Sequence, residues 1–152
     1  MCNNTFEKEV IKMEYKRFND TYVVRMDPNE EIMDTLLNLC KKENILCANI
    51  SAIGALKEFT VGIYKVDEKK YYSNHFEFPA EITSLIGTVT EMNHEPYLHL
   101  HLTAADEEGK AYGGHLNSAI ISATCEMVIT LIDGHVGRKK NEEIGLNFFD
   151  FK

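Results

Sequence analysis

Apolar positions in this chain recur at two spacings, and only one stretch keeps the helical one. Ile32, Met33, Leu36, Leu37, Leu39 and Cys40 fall at three- and four-residue steps, the stripe of a single helix face. Asp27 before Pro28 offers an N-cap followed by proline at the first helical position, and Glu30 and Glu31 put negative charge on the first turn. Lys41 and Lys42 suit the negative end of the helix dipole, and Asn44 suits a C-terminal stop. The pattern predicts a helix over 28–43.

Elsewhere the chain is β-branched or alternates with period two. Thr21–Met26 reads as a first strand, and Ile45–Ile53 and Leu56–Val66 as two more, separated by Gly54. Asp67–Lys70 is a turn, Tyr71–Phe78 alternates up to Pro79, and Ile82–Val89 is another strand. A loop at Asn93–Pro96 leads into a hairpin around Asp106–Lys110. Ser122–Ile132 forms a further long strand and Leu146–Phe151 a short closing one. About eight strands on short connections favour antiparallel pairing. The expected fold class is therefore α+β, a mostly antiparallel β-sheet packed against one long α-helix, in a single domain over 1–152.

Composition narrows the function classes. The chain has 152 residues, 44% hydrophobic and 26% charged, as in a globular domain with one core. No apolar run approaches the roughly 18 residues that span a bilayer. The first residues are charged and lack the apolar centre of a signal peptide, so a cytoplasmic protein is expected. Cys2, Cys40, Cys47 and Cys125 are scattered without a CxxC pair, and the last three sit among apolar residues as buried free thiols. A net charge of −8 opposes nucleic-acid binding. The one basic cluster, Gly137–Lys140, is followed by Asn-Glu-Glu and reads as a solvated turn.

The chemistry concentrates in Tyr97–Leu116, YLHLHLTAADEEGKAYGGHL. On a strand His99 and His101 point the same way. With the turn centred on Glu108, position 101 lies opposite position 115, and directly paired residues share a face. Three imidazoles then converge, the ligand count of an open zinc site. A slip of one residue would turn His115 away, and the Gly113-Gly114 pair leaves room for a bulge. Asn117 shares the predicted face, whereas Asp106, Glu107 and Glu108 read as solvated turn residues. His75, His94 and His135 have no partner histidine at ligand spacing.

The segment HLHLTAADEEGKAYGGHL resembles the signature of the PPC domain, the domain conserved in plants and prokaryotes. RMDPNEEIMDTLLNLCKKENILCANISAIGAL is similar to that family's strand, helix and strand. EITSLIGTVTEMNHEPYLHLHL is similar to its next strand pair. SATCEMVITLIDG is similar to its following strand, with Glu126 at the usual acidic position. The likeness covers about residues 20–150 and identifies the chain as a stand-alone prokaryotic type. It implies a homotrimer, a fold like that of α-acetolactate decarboxylase, and zinc or another divalent metal on His99, His101 and His115. Prokaryotic members carry a DNA-binding label, but the RGRP-type minor-groove segments of the plant proteins do not occur here.

Two readings of function follow. One is a trimeric binding or regulatory module whose three-histidine site holds a metal and gathers a small-molecule ligand. The other is a zinc-dependent hydrolase or lyase acting on a small carbonyl or ester substrate, with Glu126 as the candidate general acid or base. Glu126 also suits a subunit contact.

Overall fold

The computed structural model describes residues 13–152. Cys2 and the N-terminal segment read for a leader lie outside the described residues, as does the start of the expected domain. The element order is β1 (Glu14–Phe18), β2 (Thr21–Met26), α1 (Ile32–Glu43), β3 (Ala48–Lys65), β4 (Lys70–Phe76), β5 (Ala80–Met92), β6 (Glu95–Ala105), β7 (Ala111–Leu131), β8 (Gly137–Lys140) and β9 (Asn147–Asp150). Seven strands form one antiparallel sheet, and β8 pairs with β9 in a separate ribbon. The expected α+β class, one helix on a mostly antiparallel sheet, is what the chain adopts.

Four strands close on themselves. β3 pairs with both β5 and β7, and β6 pairs with the same two strands. One face of this circuit is filled with apolar side chains, because alternation sends every second residue inward. On β6, Leu100, Leu102 and Ala104 are at most 1% exposed. Leu56, Phe59, Leu85, Leu116 and Met127 meet them from the other strands, with Ile32, Leu36 and Leu39 of α1. Each of the larger side chains stabilises the fold by about 1.5–3 kcal/mol on burial.

The helix is shorter than its sequence pattern. It starts at Ile32, capped by Glu31 rather than Asp27. The reason is a tertiary contact: Asn29 N–H donates to the Ile121 carbonyl and Ile121 N–H to that of Glu30, which holds the turn at Asn29 and the extended Glu31 against β7. Asp27 instead pairs with Arg25, Nε to Oδ1 at 2.9 Å. Asn44 ends the helix in the left-handed region as its position suggests, with φ 54° and ψ 47°.

Three further differences have physical causes. The two strands expected on either side of Gly54 are one, β3, with a bulge there; a side chain at Gly54 would run into the Thr124 carbonyl of β7. Ser122–Ile132 is the far half of β7, not a separate strand. Gly137–Lys140, read as a solvated turn, is β8, because Arg138 packs its guanidinium over the rings of Tyr97 and Phe149. The segment Glu14–Phe18 was not expected as a strand; it pairs only with β2 and is mostly exposed, so its burial pattern carries no alternation.

Glu31 ties the helix to the sheet through both carboxylate oxygens. It accepts from Asp34 N–H at 2.7 Å and from Ala119 N–H on β7 at 2.8 Å. Replacing Glu31 with alanine leaves two backbone donors without partners and is expected to lower stability by about 1–3 kcal/mol, read from the urea midpoint. Glu31→Gln, which keeps one acceptor oxygen, should lose about half of that.

Candidate metal centre

The β6–β7 hairpin turns on Asp106. Its carboxylate accepts from the N–H groups of Glu108 and Lys110, at 3.0 and 2.9 Å, and Gly109 takes φ 78°. The turn is thereby centred on Glu108, and the strands pair His101 with His115 directly. Asp106, Glu107 and Glu108 stay at the turn, away from the imidazoles. Gly114 backs the register: a side chain there would meet the Gly62 carbonyl of β3 at 2.6 Å, so the double glycine lets β3 lie close behind His115.

Because Leu100 and Leu102 point into the core, His99 and His101 point out of it. The centroids of the three rings are 5.2 Å apart for His99–His101, 5.2 Å for His99–His115 and 5.6 Å for His101–His115. One ring nitrogen from each lies within 4.8 Å of the other two. A small rotation of each ring brings those atoms to the spacing that a tetrahedral ion with bonds of about 2.0–2.1 Å requires. Neutral imidazole is the ligand form, and the surroundings favour it at His99 and His115. The His99 pKa is pushed down to about 4, first by burial and then by the neighbouring charges of His115, Arg138 and His101. Burial likewise lowers that of His115, with His101 adding to it. By donor chemistry and spacing the three residues fit a divalent metal.

Groups flank the cluster on two sides. Next to His115 stands Tyr71 of β4, edge-on with ring centroids 6.1 Å apart, its hydroxyl donating to Asn117 Oδ1 at 2.7 Å. Burial raises the Tyr71 pKa, so the phenol keeps its proton. Beyond His99 lies the Thr90–Tyr97 pair of β5 and β6, and over it the guanidinium of Arg138. Tyr71 and Arg138 were not singled out from sequence. Each reaches the site from a strand remote in the chain, and only the register of β3 with β4 and the folding-back of β8 bring them there.

Glu126 takes a different place. It sits eleven residues beyond His115 on the same strand, and across β3 and β5 it is three strand spacings, about 15 Å, from the His101–Thr103 stretch of β6. It is cross-strand to Arg25 and Ile53 and lines an exposed groove of about 460 Å³ with Val23, Ser51, Ile86 and Val128. Within one chain it does not stand beside the imidazoles. The remaining histidines also stay apart: His75 bonds Thr60 on the β3–β4 ribbon, and His94 and His135 both lie against Glu91. The thiols of Cys40 and Cys125 are buried and pushed up to about 12, which leaves them without thiolate character at neutral pH. Among the described residues no helix is long and apolar enough to cross a membrane.

Residues 13–133 match the family model of the Plants and Prokaryotes Conserved (PCC) domain. A protein of Bacteroides thetaiotaomicron described as a candidate DNA-binding protein superposes with a TM-score of 0.89. It is 34% identical, covering 91% of this chain and 97% of its own. A plant- and prokaryote-conserved (PPC) protein of Pyrococcus horikoshii is 31% identical over 91% of this chain and 94% of its own, with a TM-score of 0.79. A metal-containing protein of Archaeoglobus fulgidus is 29% identical over 93% and 98%, also at 0.79. α-Acetolactate decarboxylase of Bacillus subtilis, 16% identical over 80% of this chain and 57% of its own at a TM-score of 0.55, shares the fold alone. Among curated proteins, bifunctional protein GlmU of Synechococcus sp. is 28% identical over 110 residues, 71% of this chain. This chain spans 16% of that protein's length.

The depressed His99 pKa makes a pH prediction for the metal-free protein. Unfolded, the imidazole takes a proton near 6.5; folded, near 4. Between those values the unfolded chain binds more protons, so stability falls as pH drops through the window. His99→Asn removes this contribution. Between pH 7.5 and pH 4.5 its urea midpoint should fall less than that of the unsubstituted protein.

Proposed function

Since the chain belongs to the Plants and Prokaryotes Conserved (PCC) domain family, we propose that it is a trimeric ligand-binding module built around a divalent metal, zinc by ligand type, on His99, His101 and His115. The observation that carries this reading is the convergence of three imidazole nitrogens within 4.8 Å on one exposed sheet face. It is supported by the metal-containing relative, 29% identical over nearly the whole chain. Three protein ligands leave a coordination position free for a small molecule. The trimer rests on the family resemblance and on the apolar groove beside Glu126, where Ile53 is 59% and Ile86 57% exposed. In that reading Glu126 belongs to a contact between copies.

A second reading, a hydrolase or lyase acting on a small carbonyl or ester, is favoured by one observation: the protonated Tyr71 phenol stands against His115, a proton-bearing group within the site. A metal bound by the three imidazoles would supply Lewis-acid polarisation of a carbonyl. Tyr71 would hold the proton at its hydroxyl oxygen, and Asn117 would orient it. DNA binding, the designation of the B. thetaiotaomicron relative, is disfavoured here. Net charge is −8 and Lys140 is already paired with Glu142 at 3.2 Å.

Protein purified without an affinity tag is expected to carry, or take up on reconstitution, one zinc per chain by elemental analysis. His101→Ala should weaken zinc binding by more than about 100-fold, the upper end for loss of a mere supporting partner. Less than a tenth of an equivalent after reconstitution would overturn the metal reading. Light scattering should give the mass of three chains. Turnover of a panel of esters, 2-oxo acids and 2-hydroxy acids that His101→Ala abolishes would promote the enzyme reading; none at all would end it. Duplex DNA should not bind even at about 50 mM salt, where phosphate contacts are strongest.

A further inference from the structure

Among the described residues, one buried side-chain polar atom has no hydrogen-bond partner: Nη2 of Arg138. The rest of that guanidinium is accounted for. Nε donates to Thr90 Oγ1 at 2.9 Å and Nη1 to the Asn147 carbonyl at 3.1 Å. Its plane lies between two rings, with Cζ 4.7 Å from the Tyr97 centroid and 4.4 Å from that of Phe149. These contacts fix the fork in one orientation but bring it no negative charge, since Thr90, Asn147 and the rings are all neutral. The nearby carboxylate, Glu91, is taken by His135 at 3.1 Å and His94 at 3.4 Å. Leaving a buried charged donor unmade is costly, more than the 1–3 kcal/mol of a neutral group. An arginine without a carboxylate partner, locked in place by two hydrogen bonds and two rings, is preorganised for an anion that the chain does not supply.

Its position says which anion. Thr90 pairs with Tyr97, and Thr88 with His99, on adjacent same-face positions of β5 and β6. Two residues along a strand is about 6–7 Å. The guanidinium thus overlies the sheet one step from His99, on the face that carries the three imidazoles. Burial lowers the Arg138 pKa, in keeping with a charge held out of water and uncompensated. Phe149, whose ring lies 4.4 Å from the guanidinium carbon, is itself 45% exposed, so the fork lies at the solvent edge of this face.

We propose that Arg138 is the anion-recognising arm of this site: the ligand is a small carboxylate whose charged end sits on the Nη2 edge of the fork while its other polar end reaches the three imidazoles. This deepens the metal reading and rests on it for the far end only. It excludes neutral esters and polyanionic duplexes as the preferred ligands, and selects short dicarboxylates or oxo-carboxylates that fit a span of a few ångström.

The test uses the full untagged chain, with and without zinc, titrated calorimetrically with succinate and, as a neutral control, succinamide. Succinate should bind the zinc-loaded protein, and Arg138→Gln should weaken it by about tenfold or more at unchanged zinc content, the loss expected for a charge-assisted pair. Arg138→Lys, which keeps the charge but not the fork, should recover only part. Should Arg138→Gln fail to fold, the lysine variant carries the test through its smaller loss of affinity relative to the unsubstituted protein. Equal succinate binding in all three proteins, succinamide binding as well as succinate, or no succinate binding at millimolar concentration would each overturn the proposal. A chain that takes up no zinc ends the metal reading. Weak succinate binding to the zinc-free protein that Arg138→Gln abolishes would then still uphold the anion subsite.

Discussion

Everything at the candidate centre depends on the alternation of β6. Leu100, Leu102 and Ala104 are locked inside the core at no more than 1% exposure, and that burial decides which way the residues between them face. A slip of one residue would bury two imidazoles and expose three apolar side chains, at a cost of several kcal/mol. The histidines do not hold themselves outward; the leucines do. The turn at Asp106 then sets which β7 residue meets His101, and the close fit of Gly114 against Gly62 sets how far β3 stands behind it. Core packing thus fixes the position of polar groups that contribute little to it.

The closed strand circuit explains why the site is assembled from so much of the chain. β7 is long enough to pair with β6 at one end and with β2 at the other, while β3 runs alongside for most of its length. Tyr71 arrives on β4 because β3 extends beyond β5, and Arg138 arrives on β8 because the chain folds back across β5 after β7. The three imidazoles come from one hairpin, but their surroundings come from segments that are remote in sequence.

That division marks what was legible. The hairpin, its centre on Glu108 and the shared face of His99, His101 and His115 follow from period-two spacing and one strong turn, both local. The helix stripe and its Asn44 stop were legible for the same reason. The N-cap was not, because Asp27-Pro28 is a good local start that loses to two backbone bonds with β7, a segment about ninety residues on. Gly137–Lys140 misled in the opposite direction. A basic run beside acidic residues reads as solvated until a fold supplies two aromatic rings for its arginine. Glu126 was placed near the hairpin by its strand, yet the strand is a single span, and that span carries it away.

The electrostatics of the face separate approach from recognition. A chain of net charge −8 repels an anion at long range, but at physiological salt that field decays over about 8 Å. Inside that distance the local charges decide, and at this place they are a guanidinium with no counter-charge beside His99 and His115, whose proton affinity burial lowers. An anion therefore gains only on contact, where the fork is already aligned and the surrounding rings exclude water. Such a site selects by geometry rather than by general attraction. A duplex, which binds through many spread phosphates, would meet the repulsive surface in full, whereas a single small carboxylate would meet only the one arginine.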